Sequence, residues 1–216
     1  MICSRSKFLL IVMITELTNH NLNVSNFVSK LALCLNEFHR HKAAMFVANH
    51  ASWNDIPYLG AAIGWRNYKF VAKKELLKVP ILGPAINTGG HVVVDRGDRK
   101  SGIQTLKKGI QWLTDGIHLC TFPEGTRSRD GKLLKFKNGA FKMAYKAGAP
   151  VVPISIVNAH KVMPPEWMMP YRPSRGIAKV IVHKPIESEG KTEDALAAEV
   201  REAIISGLPE DQRPSK

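Results

Sequence analysis

From residue 43 onward, short apolar runs alternate with stretches whose apolar residues recur at helical spacing, and this alternation constrains the fold more than any other feature. The runs at 43–48, 69–72, 91–94, 117–122, 151–157 and 178–182 read as strands. Between them, 53–63 and 139–147 read as helices, the second closed by Gly148. Asp98 is placed to cap a helix with an apolar face of Ile103, Leu106, Ile110 and Leu113, stopped by Gly116. Thr192 is placed to cap the last helix, with Glu193 and Asp194 favourable in its first turn, Leu196, Val200 and Ile204 facing inward, and Gly207 at its end. Strands that alternate with helices predict an α/β fold, a largely parallel or mixed sheet flanked by helices. Pro153 inside the 151–157 run predicts an edge, a bulge or a strand end there. In such sheets ligands sit beyond the carboxyl ends of the strands, so the turns that follow strands are where chemistry is sought.

The first forty-odd residues differ. Phe27, Leu31, Cys34, Leu35 and Phe38 recur at helical spacing and predict one amphipathic helix, which fits packing on the core or lying in a lipid interface. The longest apolar run, 8–14, is far short of the ~20 residues a spanning helix needs. A chain of this kind that acts on lipids is expected to lie on a membrane rather than cross it.

Charge narrows the partners. The chain has 31 Lys and Arg against 18 Asp and Glu, a net charge of +13, which points to an anionic partner: nucleic acid, a membrane surface or a phosphorylated substrate. Cys3, Cys34 and Cys120 are far apart and form no Cys-x-x-Cys pair, which argues against a zinc site, a redox pair or a disulfide scaffold and for a reducing compartment. No Gly-x-Ser-x-Gly elbow and no His-Glu-x-x-His motif occurs, so neither an α/β serine hydrolase nor a zinc protease is expected. No metal site is expected.

Two turns carry candidate chemistry. Asn49-His50-Ala51-Ser52-Trp53-Asn54-Asp55 follows the first strand and places His50 and Asp55 across a strand-to-helix turn. A histidine is the usual general base near neutral pH, and a neighbouring carboxylate can fix its tautomer. The same spacing also suits a structural turn histidine and a helix cap. Phe122-Pro123-Glu124-Gly125-Thr126-Arg127-Ser128 follows the 117–122 strand. Here Pro123 fixes the backbone, Gly125 permits a positive φ and close approach, Thr126 offers a hydroxyl, and Arg127 offers a planar fork suited to phosphate oxygens. A third segment, from Gly90 to Arg96, delivers Asp95 and Arg96 to a strand end, with Arg96 as a second phosphate contact or as half of a surface ion pair.

In this order the blocks resemble the glycerolipid acyltransferase family, and within it the 1-acyl-glycerol-3-phosphate (lysophosphatidic acid) acyltransferases. Asn49, His50, Ser52 and Asp55 match Asn-His-x-Ser-x-x-Asp. Gly90, Asp95 and Arg96 match a glycine followed four residues later by Asp-Arg. Residues 122–127 match Phe-Pro-Glu-Gly-Thr-Arg letter for letter, and Val152, Pro153 and Ile154 match an apolar-Pro-apolar strand. The resemblance covers about residues 43–185. Val93 stands where the family often has an aromatic, and Ala51 where it often has Gln.

The resemblance implies an acyltransferase domain over 43–216, preceded by an N-terminal segment, 1–42, that associates with membrane, where relatives usually carry membrane-embedded helices. It implies transfer of an acyl group from acyl-CoA or acyl carrier protein to the sn-2 hydroxyl of lysophosphatidic acid, with no other cofactor. His50 would be the base and Asp55 its orienting partner. Gly90, Arg96, Glu124, Gly125, Thr126 and Arg127 would bind or shape the pocket for the acceptor phosphate. Lys135, Lys137, Lys142 and Lys146 would favour an anionic membrane surface. Glycerol-3-phosphate or another lysophospholipid is the alternative acceptor. A basic nucleic-acid-binding protein is the alternative of a different class, although no finger, reading helix or set of interleaved aromatics supports nucleic acid. No residue pattern fixes an oligomeric state.

Overall fold

In a computed structural model, residues 43–63, 68–80, 82–95, 97–167, 172–174 and 176–214 are described. The amphipathic helix expected within 27–38, the whole 1–42 segment and Arg96 lie outside them.

Six strands form one sheet. They are β1 (Met45–Ala48), β2 (Tyr68–Lys73), β3 (Val92–Val94), β4 (His118–Thr121), β5 (Val151–Val157) and β6 (Lys179–Val182), in the order β3-β2-β4-β1-β5-β6. Every pairing is parallel except β5 with β6. The helices are α1 (Asp55–Ile63), α2 (Leu82–Thr88), α3 (Arg99–Thr114), α4 (Gly139–Ala147), α5 (Ala159–Val162) and α6 (Glu193–Gly207). The α/β architecture with a mixed sheet is therefore the one the alternating pattern predicts.

Strand β1 lies in the middle of the sheet and is buried on both faces, which is why it reads as an unbroken apolar run. Met45 and Val47 join a core with Leu113, Phe141, Ala144, Leu196, Val200 and Ile204 from α3, α4 and α6. Ala44, Phe46 and Ala48 join the opposite core with Tyr58, Leu59, Ile63 and Ala159 from α1 and α5. Both expected caps form: Asp98 accepts from Lys100 N at 2.8 Å, and Thr192 Oγ1 accepts from Ala195 N at 3.2 Å.

The sequence misjudged the inner face of α3. Ile103, expected inside, is 49% exposed, whereas Thr105 is buried and anchored to the Val93 carbonyl. A Cβ on Gly109 would lie 2.3 Å from Met143 Sδ and 3.2 Å from Leu119 Cδ2. The helix is thus rotated so that a glycine, invisible to any hydrophobic count, lets α3 approach α4 and β4 closely. Pro153 is a second correction, since β5 pairs on both sides and proline is tolerated for another reason. Its carbonyl accepts from His183 N at 2.9 Å, and its missing N–H falls just beyond the last residue of β6, where little of the ladder remains to be lost.

Candidate active site

The carboxyl ends of β1 and β4 bring the two candidate turns together. Asp55 opens α1 rather than sitting inside it, so the helix starts two residues later than expected. The reason is local. Asp55 Oδ2 accepts from the backbone N–H groups of Ala51 and Ser52 at 2.6 and 2.7 Å and closes the turn on itself. The same oxygen lies 2.8 Å from His50 Nδ1. Asp55 is fully buried, so an oxygen that already accepts from two N–H groups is a carboxylate oxygen with only acceptor capacity left. His50 Nδ1 must therefore carry the hydrogen and donate it to Asp55. That leaves Nε2 as the basic nitrogen of the neutral ring. Asp55 is thus both the helix-opening residue and the partner of His50, two readings that the spacing alone left open.

His50 is held from three further directions. Its ring stacks on Phe122 with centroids 4.1 Å apart and planes 14° apart, and Phe122 stacks in turn toward Phe70 at 6.3 Å. Its backbone N–H donates to Glu124 Oε1 at 2.7 Å, and its carbonyl accepts from Ser128 N at 2.8 Å. Glu124 was expected among the substrate contacts. Instead it is only 3% exposed, and its second oxygen accepts from Leu134 N at 2.8 Å, so both carboxylate oxygens tie one loop to another. Two residues of the first block also prove structural. Asn49 accepts from Ile156 N at 2.7 Å and donates to Ile156 O at 2.9 Å, which continues the β1–β5 ladder with a side-chain amide. Ser52 Oγ donates to Met163 O at 2.8 Å.

The phosphate candidates fall into two groups. Arg127 is half-buried beside the histidine turn, its guanidinium lying 4.0 Å from the centroid of the Trp53 ring while Nη1 donates to Pro165 O at 2.8 Å. This holds the fork in place and spends one of its five donors. Thr126 is exposed at the same turn, and Gly125 has φ +74°. Gly90 is elsewhere: it precedes β3, at the amino end of a parallel strand, and so lies at the opposite end of the sheet from His50. There it borders a cleft of about 440 Å³ between β3 and α3. Asp95 pairs with Lys74 at 3.1 Å on the surface. Among the described residues no cluster of His, Cys, Asp and Glu could hold a metal ion, and no helix is long and apolar enough to cross a membrane.

A protein-family model named Acyltransferase matches residues 33–157, more than half of the chain. The chain belongs to the acyltransferase family. It is 38% identical over 167 residues to a chloroplastic 1-acyl-sn-glycerol-3-phosphate acyltransferase of Arabidopsis thaliana, covering 76% of this chain and 45% of the relative. It is 35% identical over 175 residues to a 1-acyl-sn-glycerol-3-phosphate acyltransferase of Saccharomyces cerevisiae, covering 78% of this chain and 56% of that protein. The chain thus spans about half the length of these curated relatives. The crystal structure of the 1-acyl-sn-glycerophosphate acyltransferase PlsC from Thermotoga maritima superposes with a TM-score of 0.65 at 33% identity, over 76% of this chain and 64% of PlsC.

Within this acyltransferase-family fold, Glu124 makes a pH-linked contribution to stability. Burial pushes its carboxyl up to about 7. An unfolded glutamate titrates at ~4.3. Between those values the folded chain binds the proton more tightly than the unfolded chain does. This contribution is therefore fully present below the unfolded value and is lost as pH rises through the folded one. Denaturant titrations at about pH 5 and about pH 8 should show the parent losing ~2–3 kcal/mol more than Glu124→Gln across that interval. Equal losses in the two proteins would remove Glu124 as the source.

Proposed function

We propose that the chain transfers an acyl group from an acyl thioester, carried by coenzyme A or acyl carrier protein, to the free hydroxyl of 1-acyl-glycerol-3-phosphate, giving phosphatidic acid. The observation that carries this reading is the Asp55 oxygen that accepts three hydrogen bonds and so leaves His50 Nε2 as a base.

His50 Nε2 takes the proton of the acceptor hydroxyl as its oxygen attacks the thioester carbonyl. The buried Asp55 carboxylate faces the positive charge that forms on the ring. When the tetrahedral intermediate collapses, the C–S bond breaks and the leaving sulfur takes the proton from Nε2. Each proton is accounted for without a side-chain nucleophile, and no acyl-enzyme is formed. Arg127 grips the acceptor phosphate with donors not spent on Pro165, beside the Thr126 hydroxyl. Glu124 and Phe122 hold the histidine rather than touch the substrate. The exposed Lys135 and Lys146 favour an anionic lipid surface, where each basic residue contributes ~1 kcal/mol.

An acceptor panel tests the proposal. Detergent-solubilised protein with a labelled acyl thioester should acylate 1-acyl-glycerol-3-phosphate, and should work poorly with glycerol-3-phosphate and with monoacylglycerol. Preference for glycerol-3-phosphate would move the chain to a different acceptor class. A salt-sensitive shift of DNA with no acyl transfer would refute an enzymatic role.

A further inference from the structure

Beside the Phe122–Arg127 turn lies a second cation that the motif itself does not contain. The backbone N–H of Lys137 donates to Pro123 O at 2.9 Å, which brings the loop before α4 against that turn. The Lys137 side chain then runs across Gly125. A Cβ built on Gly125 would lie 3.3 Å from Lys137 Cδ, 3.2 Å from Cε and 3.0 Å from Nζ. Gly125 therefore does two things. Its φ of +74° makes the turn, and its missing side chain leaves room for the lysine stem.

Some surface lysines of this chain are neutralised by a carboxylate: Lys74 pairs with Asp95, Lys161 with Asp211 and Lys191 with Glu199. Lys137 is exposed and, among the described residues, has no such partner, and Glu124 next to Gly125 is turned inward onto His50 N and Leu134 N. The ammonium of Lys137 lies over Gly125, two residues before Arg127, whose guanidinium is held by Trp53 and Pro165 with the carboxylates of Asp55 and Glu166 as its charged neighbours. The turn thus carries one cation with no carboxylate partner of its own among the described residues, and an anion at the turn would meet it.

We infer that Lys137 is a phosphate-contacting residue of the acyltransferase site, acting with Arg127 across the glycine turn. The inference rests on the proposed function for the identity of the anion, which is a phosphate group of the lysophospholipid acceptor or of the acyl-CoA donor. A lysine fits this task because its ammonium is a point charge on a stem that can follow a phosphate, while Arg127 supplies fixed geometry.

Amine labelling followed by mass spectrometry on the full chain tests this without needing turnover. The probes are 1-acyl-glycerol-3-phosphate, coenzyme A, and monoacylglycerol as the phosphate-free control. Labelling of Lys137 should fall severalfold with a phosphate-bearing probe and stay unchanged with monoacylglycerol, while the exposed Lys107 on α3 is labelled equally in all. Protection by the lysophospholipid alone assigns the acceptor phosphate, and protection by coenzyme A alone assigns the donor. Lys137→Ala should raise the KM of whichever substrate protects by about tenfold with little change in kcat, and Lys137→Arg should recover most of that loss. Unchanged labelling of Lys137 with both phosphate probes, or parental KM values for Lys137→Ala, overturns the inference. If the parent makes phosphatidic acid and Lys137 is unprotected, only this inference falls. If phosphate probes protect Lys137 and the parent transfers no acyl group, the inference stands and the proposed function falls.

Discussion

His50→Ala removes acyl transfer while the chain remains folded. The ring lies at the end of a buried strand but is itself partly exposed, with 16% of its side chain accessible, so its loss opens no large cavity in either core. What is lost is the group proposed as the base. Proton transfer by a positioned side chain contributes about 10²–10⁴ in rate, and turnover should drop by that much with circular dichroism unchanged. Asp55→Asn has the same sign. The N–H groups of Ala51 and Ser52 both point at the position of Oδ2, so they keep the amide oxygen there and the geometry nearly intact. The variant loses chiefly the negative charge that faces the imidazolium. Its turnover should fall between the parent and His50→Ala. A folded His50→Ala protein with near-parental turnover would mean that another group takes the hydroxyl proton.

Arg127→Lys weakens binding of the acceptor. The arginine is held twice, by the Trp53 ring and by the Pro165 carbonyl, and a lysine cannot lie flat on the ring, reach that carbonyl and present a fork at once. A charge-assisted contact to phosphate is worth ~1.5–3 kcal/mol, so the acceptor KM should rise about tenfold to a hundredfold while the donor KM stays constant. The turnover number should also decline, because a loosely held phosphate misplaces the hydroxyl relative to His50. A two-substrate kinetic comparison separates these effects. A rise in the donor KM alone would place Arg127 at the thioester site.

Much of the fold was legible because burial writes itself into short patterns. Strand β1 lies between two covered faces and is apolar throughout, and Asp98 and Thr192 cap the helices they precede. The pattern failed where structure depends on what is absent. Gly109 makes room for Met143 and so turns α3 until Ile103 faces solvent, and no count of apolar residues contains that information. The short elements α2 and α5 carry too few residues to show a period.

The site divides in the same way. His50 and Asp55 are five residues apart on one turn, so their partnership could be anticipated. Glu124 meets His50 from 74 positions away, and Asn49 meets Ile156 from 107 away, distances at which sequence spacing carries no geometric content. Glu124 was therefore placed among the substrate contacts because of its neighbours in the motif, when the fold uses it as a buried brace. Gly90 shares a block with Asp95 along the chain, but it precedes the amino end of β3, at the opposite end of the sheet from His50.

The central claim is direct transfer by a histidine base, and a single-turnover experiment tests it. The purified chain is mixed with a radiolabelled acyl thioester without acceptor, sampled for acylated protein by mass spectrometry, and then given 1-acyl-glycerol-3-phosphate. The account predicts no labelled protein in the first stage, least of all at Ser52, Ser128 or Cys120, and labelled phosphatidic acid only in the second. Label trapped on any side chain before the acceptor is added, and passed to it afterwards, would contradict the account.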